Sequence, residues 1–343
     1  MVTEHFAAIR DELFERMNAY FDDLEGRIDL PWWTEELTVE FRRFAMTGKA
    51  LRGSLVVLAH DVLGGDSRDA AIEAGCAIEL FHSAVLIHDD IMDQDLVRRG
   101  REATHVRLAR GRDSRTGESL AIDVGGCGFC LSYDLLSRLD LDADTLRTLL
   151  SYYSLNLTML GLAQMQDVAL ASSDELPSEE DIERVLIEKS GRYTFSLPLS
   201  LGAMIAGKSE DVRFFELFGE HLGFIFQVKD DEIGLFGDAK VTGKPVGSDI
   251  REGKKTLFWH ALASSTDPDA PAALSVFGDR DASDDDVARS IAFLDASGIR
   301  SRITEQMVSR AIALRERVDE QDFDDSAKDV LFRLIEWNLS RVK

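Results

Sequence analysis

Asp89, Asp90 and Asp93 crowd the end of an apolar run, in the stretch HSAVLIHDDIMDQDLVRRG that begins at His82. Residues 89 and 93 are four apart, so on a helix they share one face, a turn apart. Like charges at that spacing destabilise a bare helix, and at its C-terminal end the macrodipole disfavours them again. A cation must compensate. Oxygen-only ligands suit Mg²⁺, which keeps several waters and is completed by substrate phosphates. A second cluster, FQVKDDEIGLFGD, sets Asp230 and Asp231 after another amphipathic run. Two such ends facing one another would hold several divalent ions around a polyphosphate. For either cluster alone, a solvated acidic surface is a serious rival in a chain of 63 acidic residues.

The basic residues shift that balance. Lys49 and Arg52 lie in TGKALRG, and Arg98 and Arg99 follow the first cluster. Lys189 stands between the clusters, and Lys244 and Lys254 follow the second. Lysine holds phosphate as a point charge and arginine as a planar fork. Each alone is an ordinary surface charge. Together they suggest two polyanionic groups, one chelated through metal and one held by bare cations.

Helices must position these residues. Apolar residues recur at three- and four-residue spacing over 3–24, 35–46, 51–62, 68–92, 118–138, 143–171, 179–206, 210–234, 251–264, 285–296, 299–319 and 324–340. No convincing strand or hairpin signal appears. Breaks fall at Gly64-Gly65, across 99–117, at Leu176-Pro177-Ser178 and over 237–247. Ser178 with Asp181 reads as a capping box with Asp in place of Glu. The polar stretch 264–286 is a candidate mobile connection, and helices resume after it. One all-α domain spanning 1–343 is the reading, with no internal repeat.

Composition narrows the setting. The 343 residues are 45% hydrophobic and 30% charged, with 6 prolines, which suits a soluble, ordered chain with a large core. No apolar stretch approaches the roughly 20 residues that cross a bilayer, so no stable membrane anchor is expected. The opening MVTEHFAAIRDELFERM reads as an acidic amphipathic helix, not a signal peptide. With 3 cysteines, a cytoplasmic location is expected. A net charge of -24 argues against nonspecific nucleic-acid binding. Acid excess with few lysines also suits a salt-adapted source.

With these motifs in order, the chain resembles the trans-prenyltransferases of the polyprenyl (isoprenyl) diphosphate synthase family, in particular the geranylgeranyl diphosphate synthases. The match includes GKxxR at Gly48–Arg52, DDxxD at Asp89–Asp93, RRG at Arg98–Gly100 and AQMQD at Ala163–Asp167. It continues through KSG at Lys189–Gly191, FQVKDD at Phe226–Asp231, GKPVGSDI at Gly243–Ile250 and GKKT at Gly253–Thr256. A single DDxxD is weak; the ordered set is specific.

The resemblance implies an isoprenoid-synthase-type bundle of about ten or more helices around a central apolar cavity. It implies head-to-tail condensation of isopentenyl diphosphate with an allylic diphosphate, usually in a homodimer. Three Mg²⁺ ions per active site would be held by Asp89, Asp93 and Asp230, with Asp90 and Asp231 in support. Arg98, Lys189, Lys244 and Lys254 would serve the allylic diphosphate. Lys49, Arg52, His82 and Arg99 would hold isopentenyl diphosphate without metal. Gln227 and Ser190 would turn dipoles toward the carbocation that forms as the allylic C–O bond breaks.

Product length should follow from the helix carrying Asp89. Val85 and Ala84 are small, and Phe81 is the first bulky ring on that face, so C20 is the expected product, with C25 or longer open. A Phe81 that is simply core is the plain rival.

Four departures from the family pattern stand out. Ala50 replaces an arginine, Gly126 and Gly234 stand where aspartates are common, and Ser190 replaces a threonine. None removes an expected metal ligand. Cys127 and Cys130 imitate a redox or metal pair, but packing in a buried helix is the expected role. Two rivals to a synthase are a noncatalytic regulatory subunit of a heteromeric synthase and, less favoured, a terpene cyclase. The first generally loses acidic motifs, and the second lacks the Lys49/Arg52 group.

Overall fold

The computed structural model describes residues 2–28, 39–172, 176–237 and 247–341. In chain order its elements are α1 (Val2–Arg27), α2 (Glu40–Ala45), α3 (Leu51–Val62), α4 (Arg68–Met92), β1 (Val97–Arg98), β2 (Arg101–Glu102), α5 (Thr104–Leu108), α6 (Ser114–Leu136) and α7 (Ala143–Ser172). Then come α8 (Glu179–Leu186), a π-helix (Ile187–Ser196), α9 (Leu197–Ile205), α10 (Val212–Phe236), α11 (Ser248–Glu252), α12 (Leu257–Ala263), α13 (Ala270–Leu274), α14 (Asp284–Ala296), α15 (Ile299–Asp319) and α16 (Asp325–Ser340). The expected all-α class holds. Two compact units divide the chain: Met1–Tyr153 with Pro198–Val212, and Ser154–Leu197 with Arg213–Lys343.

In the first unit α4 is the core helix. Ala71, Ala74, Cys76, Ala77, Ile78, Leu80, Ala84 and Ile87 are all buried, so apolar residues cover most of the helix, interrupted between its first and final turns by Glu73, Glu79, His82 and Ser83. This corrects the expectation that no run is apolar and long enough to cross a membrane. By length and composition α4 and α6 both qualify, but 78% of the α4 window is packed inside the fold. A helix enclosed by its own neighbours needs no polar face.

The second unit is built around α10, which buries Phe215, Phe218, Leu222, Phe224, Ile225 and Val228. Each such side chain contributes about 1.5–3 kcal/mol when fully buried. Phe214 meets Phe323 edge-on at 5.3 Å between ring centroids. A different ridge of α10, spaced by four, reads Gly219, Gly223, Gln227, Asp231.

Several local features depart from the periodicity. The run over 179–206 is interrupted by the ten-residue π-helix, a form that concentrates at functional sites. A Cβ on Gly223 would lie 2.0 Å from the Gly191 Cα, so this glycine pair lets α10 approach the π-helix backbone closely. A two-residue antiparallel pair joins Val97 to Glu102 and Arg98 to Arg101. Short helices occupy the expected breaks, α5 within 99–117 and α13 within 264–286. Of the expected capping box, the N-cap half is present: Ser178 Oγ accepts from the Asp181 N–H at 3.1 Å, and the Asp181 carboxylate accepts from the Ser178 hydroxyl at 2.6 Å. Of the helix expected over 35–46, positions 35–38 lie outside the described residues.

Candidate active site

The first acidic cluster closes α4. Asp93 is the C-cap, and its N–H donates to the Asp89 carbonyl at 2.8 Å. Asp90 is fully buried, and Arg98 Nε donates to its Oδ1 at 2.5 Å. Arg98 also donates to Asp95 at 2.9 Å and stands 3.8 Å from Asp89 Oδ2. Burial alone would lower the Arg98 pKa, but the carboxylates of Asp90, Asp95 and Asp89 outweigh it and raise it. Burial pushes Asp90 up despite Arg98. Asp95 was missed from sequence; its spacing three residues before Arg98 was the available signal.

The RRG motif is the tip of the small hairpin. Arg99 (φ 54°) and Gly100 (φ 73°) both adopt positive φ, as a tight two-residue hairpin turn requires. That turn sends the two arginines to different places. Arg98 goes to the carboxylates; Arg99 donates to the Thr47 carbonyl and, at 3.2 Å, to Thr47 Oγ1. Arg99 also lies over the Phe44 ring at 5.7 Å and against Gly48, where a Cβ would come within 2.7 Å of its guanidinium carbon. Arg52 and Arg99 belong to the same electrostatic neighbourhood as His82. Burial first, and then Arg52, Arg99 and Arg98, push the His82 imidazole well below its ordinary pKa, which keeps it neutral. Lys49 is exposed just before α3. The sequence-predicted cation group is therefore assembled around the start of α3. Buried Glu79, which accepts from the Gly53 N–H at 2.8 Å and has Arg52 and Arg99 as neighbouring charges, is an acid beside that group that no sequence spacing indicates.

Below His82, Phe81 is buried and packs on Phe129 at 4.8 Å and Tyr153 at 6.1 Å. Ala84 is buried and Val85 partly so. Ser132 Oγ and Tyr153 OH are hydrogen-bonded at 2.7 Å in this layer.

In the second unit, Ser190 of the π-helix donates to Gln227 Oε1 at 2.9 Å, and Gln227 Nε2 donates to Asp231 Oδ1 at 2.9 Å. Burial raises the Asp231 pKa to about 7, with the Gln227 hydrogen bond opposing and Asp249 adding to the rise. Lys189 pairs with Asp167 at 2.7 Å. Lys254 pairs with Asp249 at 3.0 Å, and that carboxylate lifts the lysine pKa against the effect of burial. Asp230 accepts from Arg341 Nη2 at 2.6 Å. Lys244 lies outside the described residues.

Two departures gain a physical reading. A Cβ at Gly234 would lie 2.3 Å from Asp249 Oδ2, so the buried Asp249 carboxylate fills the space an aspartate there would need. Ala50 is buried with φ 47°, in the left-handed region, at the start of α3. A side chain on Gly126 would meet nothing, and nothing in the structure explains that change. Cys127 and Cys130 are exposed, which corrects the expected buried packing. Hydropathy marked the helix but not which of its apolar faces turns inward.

Among the described residues no three His, Cys, Asp or Glu side chains converge as a ready-made metal cage. Mg²⁺ does not require one, because one or two carboxylates with substrate phosphates usually suffice. The oxygen-only donors fit that ion. So does Asp90 Oδ2, which is buried without a hydrogen-bond partner among the described residues.

The Polyprenyl synthetase family model matches residues 35–294. The geranylgeranyl diphosphate synthase of Saccharolobus solfataricus is 33% identical over 254 residues, 73% of each chain. A short chain isoprenyl diphosphate synthase of Methanothermobacter thermautotrophicus is 31% identical over 296 residues, 86% of each chain. The crystal structure of Corynebacterium glutamicum geranylgeranyl pyrophosphate synthase, complexed with isoprenyl diphosphate and magnesium, superposes with a TM-score of 0.87 at 26% identity, covering 99% of both chains. The ordered motifs, the helical fold and these likenesses agree: the chain belongs to the polyprenyl synthetase family and is a prenyltransferase.

Proposed function

We propose that this prenyltransferase condenses isopentenyl diphosphate head to tail with an allylic diphosphate and releases the C20 product, geranylgeranyl diphosphate. The observation that carries the reading is the division of labour at the hairpin. Arg98 joins the carboxylates of Asp89 and Asp90, while Arg99 joins Thr47 and Gly48 beside Lys49 and Arg52. Two adjacent cations thus serve two anion sites.

Asp89, Asp93 and Asp230, supported by Asp90 and Asp231, are the residues to hold three Mg²⁺. When bound, those ions neutralise the allylic diphosphate and stabilise the charge that develops on it as a leaving group. Arg98, Lys189, Lys244 and Lys254 bind the same diphosphate. Lys49, Arg52, Arg99 and neutral His82 orient isopentenyl diphosphate so that its alkene attacks the allylic carbon. Gln227, fixed between Ser190 and Asp231, turns its amide dipole toward the cationic centre. The proton lost from the new C–C bonded intermediate passes to the departing diphosphate. Phe81, with Phe129 and Tyr153 behind it, ends the pocket, and Ala84 and Val85 leave room for the tail above it.

A second copy of the chain is the proposed partner. Leu155, Leu162, Met165 and Val168 on α7 are exposed apolar side chains that a homodimer would cover. The cytoplasm is the proposed location. Isopentenyl diphosphate labelled in carbon, incubated with Mg²⁺ and farnesyl diphosphate, should yield a C20 diphosphate on chromatography. No elongation with any allylic primer would overturn the proposal.

A further inference from the structure

Arg341 lies just beyond α16 with its side chain only 8% exposed, whereas its partner Asp230 is 39% exposed. The guanidinium is stacked over the Phe226 ring at 3.9 Å and lies 5.6 Å from the Trp337 ring. Its Nη2 donates to Asp230 Oδ1 at 2.6 Å. Its Nε and Nη1 are buried and have no hydrogen-bond partner among the described residues. A buried guanidinium is costly when donors stay unmade, and its planar fork matches a phosphate oxyanion better than any other common group. The stacking on Phe226 fixes the plane, so the two remaining donors are held rather than swung into water.

This arrangement bears on Asp230, and the inference rests on the reading that Asp230 holds metal for a diphosphate. A divalent cation arriving alone at Asp230 meets a fixed positive charge that already uses one carboxylate oxygen. An anion with several oxygens changes the sign of that encounter. It can accept from Nη1, on the guanidinium edge that Nη1 shares with the Asp230-bound Nη2, while turning other oxygens to the cation, so that the anion separates the two positive charges. We propose that Arg341 is a positioning residue that makes divalent-cation binding at Asp230 conditional on a diphosphate. By linkage, the diphosphate then gains as much from the cation as the cation gains from the diphosphate.

Calorimetry tests this on the full chain. Mg²⁺ is titrated alone, and inorganic diphosphate is then titrated at a series of buffered free Mg²⁺ concentrations, corrected for the complex that forms in solution. The quantity read is the coupling factor, the ratio of Mg²⁺ affinities with and without diphosphate. In Arg341→Gln it should fall by about fivefold or more, with Mg²⁺ alone binding more tightly than in the unaltered chain. Arg341→Lys keeps the charge over Phe226 but loses the fork, so its coupling should fall as well; it guards against a folding failure in the glutamine variant. A coupling factor within twofold of the unaltered chain in both variants overturns the role of Arg341 alone. Failure of the unaltered chain to bind Mg²⁺ and diphosphate overturns the reading of the site itself.

Discussion

Arg98 and Arg99 are consecutive in sequence yet their guanidiniums face different groups. Arg98 Nε donates to the buried Asp90 carboxylate at 2.5 Å, and Arg99 Nη1 donates to Thr47 Oγ1 at 3.2 Å. The positive φ of Arg99 and Gly100 produces that split. A longer or extended connection would leave both side chains alternating across a flat strand. Under the proposed function, the hairpin is therefore the element that sorts the two substrates.

The split predicts opposite kinetic signatures. Arg98→Gln should raise KM for the allylic substrate about tenfold to a hundredfold with a smaller effect on isopentenyl diphosphate. Arg99→Gln should do the reverse. Steady-state kinetics varying each substrate in turn check this, and equal effects on both substrates would contradict it.

Phe81 is expected to limit product length. Phe81→Ala should shift the product beyond C20, read by chromatography of the dephosphorylated alcohols. The same change removes contacts to Phe129 and Tyr153, so a stability loss on the order of 3–5 kcal/mol is expected. Phe81→Leu should lengthen the product with a smaller loss. An unchanged product from both variants would place the floor elsewhere.

Much of this site was legible in the sequence because its chemistry is concentrated in residue types that are costly to place. Acids at the end of an apolar helix call for compensating charge, and in the structure the arginine directly after them supplies part of it, Arg98 pairing with Asp90. Residues that act through tertiary contact were not legible. Glu79 sits in mid-helix, Asp249 fills the space beside Gly234, and Arg341 follows α16, 111 positions from Asp230. No local spacing announces such partners. The π-helix was hidden for a related reason: its periodicity resembles that of an α-helix, and only the Gly191–Gly223 contact reveals why the ridge of α10 fits it. The Cys127/Cys130 pair failed differently, since an apolar helix can leave one apolar face outside.

Gly223→Ala should act at a distance from any reacting atom. Its Cβ would lie 2.0 Å from the Gly191 Cα, backbone against backbone, so the π-helix must move. The Ser190–Gln227 hydrogen bond then lengthens, and kcat should fall about tenfold or more with a lower Tm. A variant with a lower Tm and unchanged kcat would show that the contact only stabilises the fold.

Asp231 gives a pH signature in the metal-free protein. Its raised pKa, about 7, means that the folded chain holds this proton more tightly than the unfolded chain does. The stability so gained is complete below about pH 4 and is lost as pH rises through 7, an amount on the order of 4 kcal/mol. Thermal melts from pH 4 to 8 should show a steeper fall in Tm for the unaltered chain than for Asp231→Asn. Parallel profiles, or a rise with pH assigned to Asp231, would contradict the buried protonated carboxyl.

The central claim is that the carboxylates of Asp89 and Asp230 serve one metal-bound allylic diphosphate. Binding of an unreactive thiolodiphosphate analogue of farnesyl diphosphate, measured by calorimetry at saturating Mg²⁺, tests it through Asp89→Asn, Asp230→Asn and the double variant. Shared service predicts a loss of about tenfold or more in each single variant and a double variant scarcely weaker than either. Losses that multiply fully, or a single variant that binds as tightly as the unaltered chain, would contradict it.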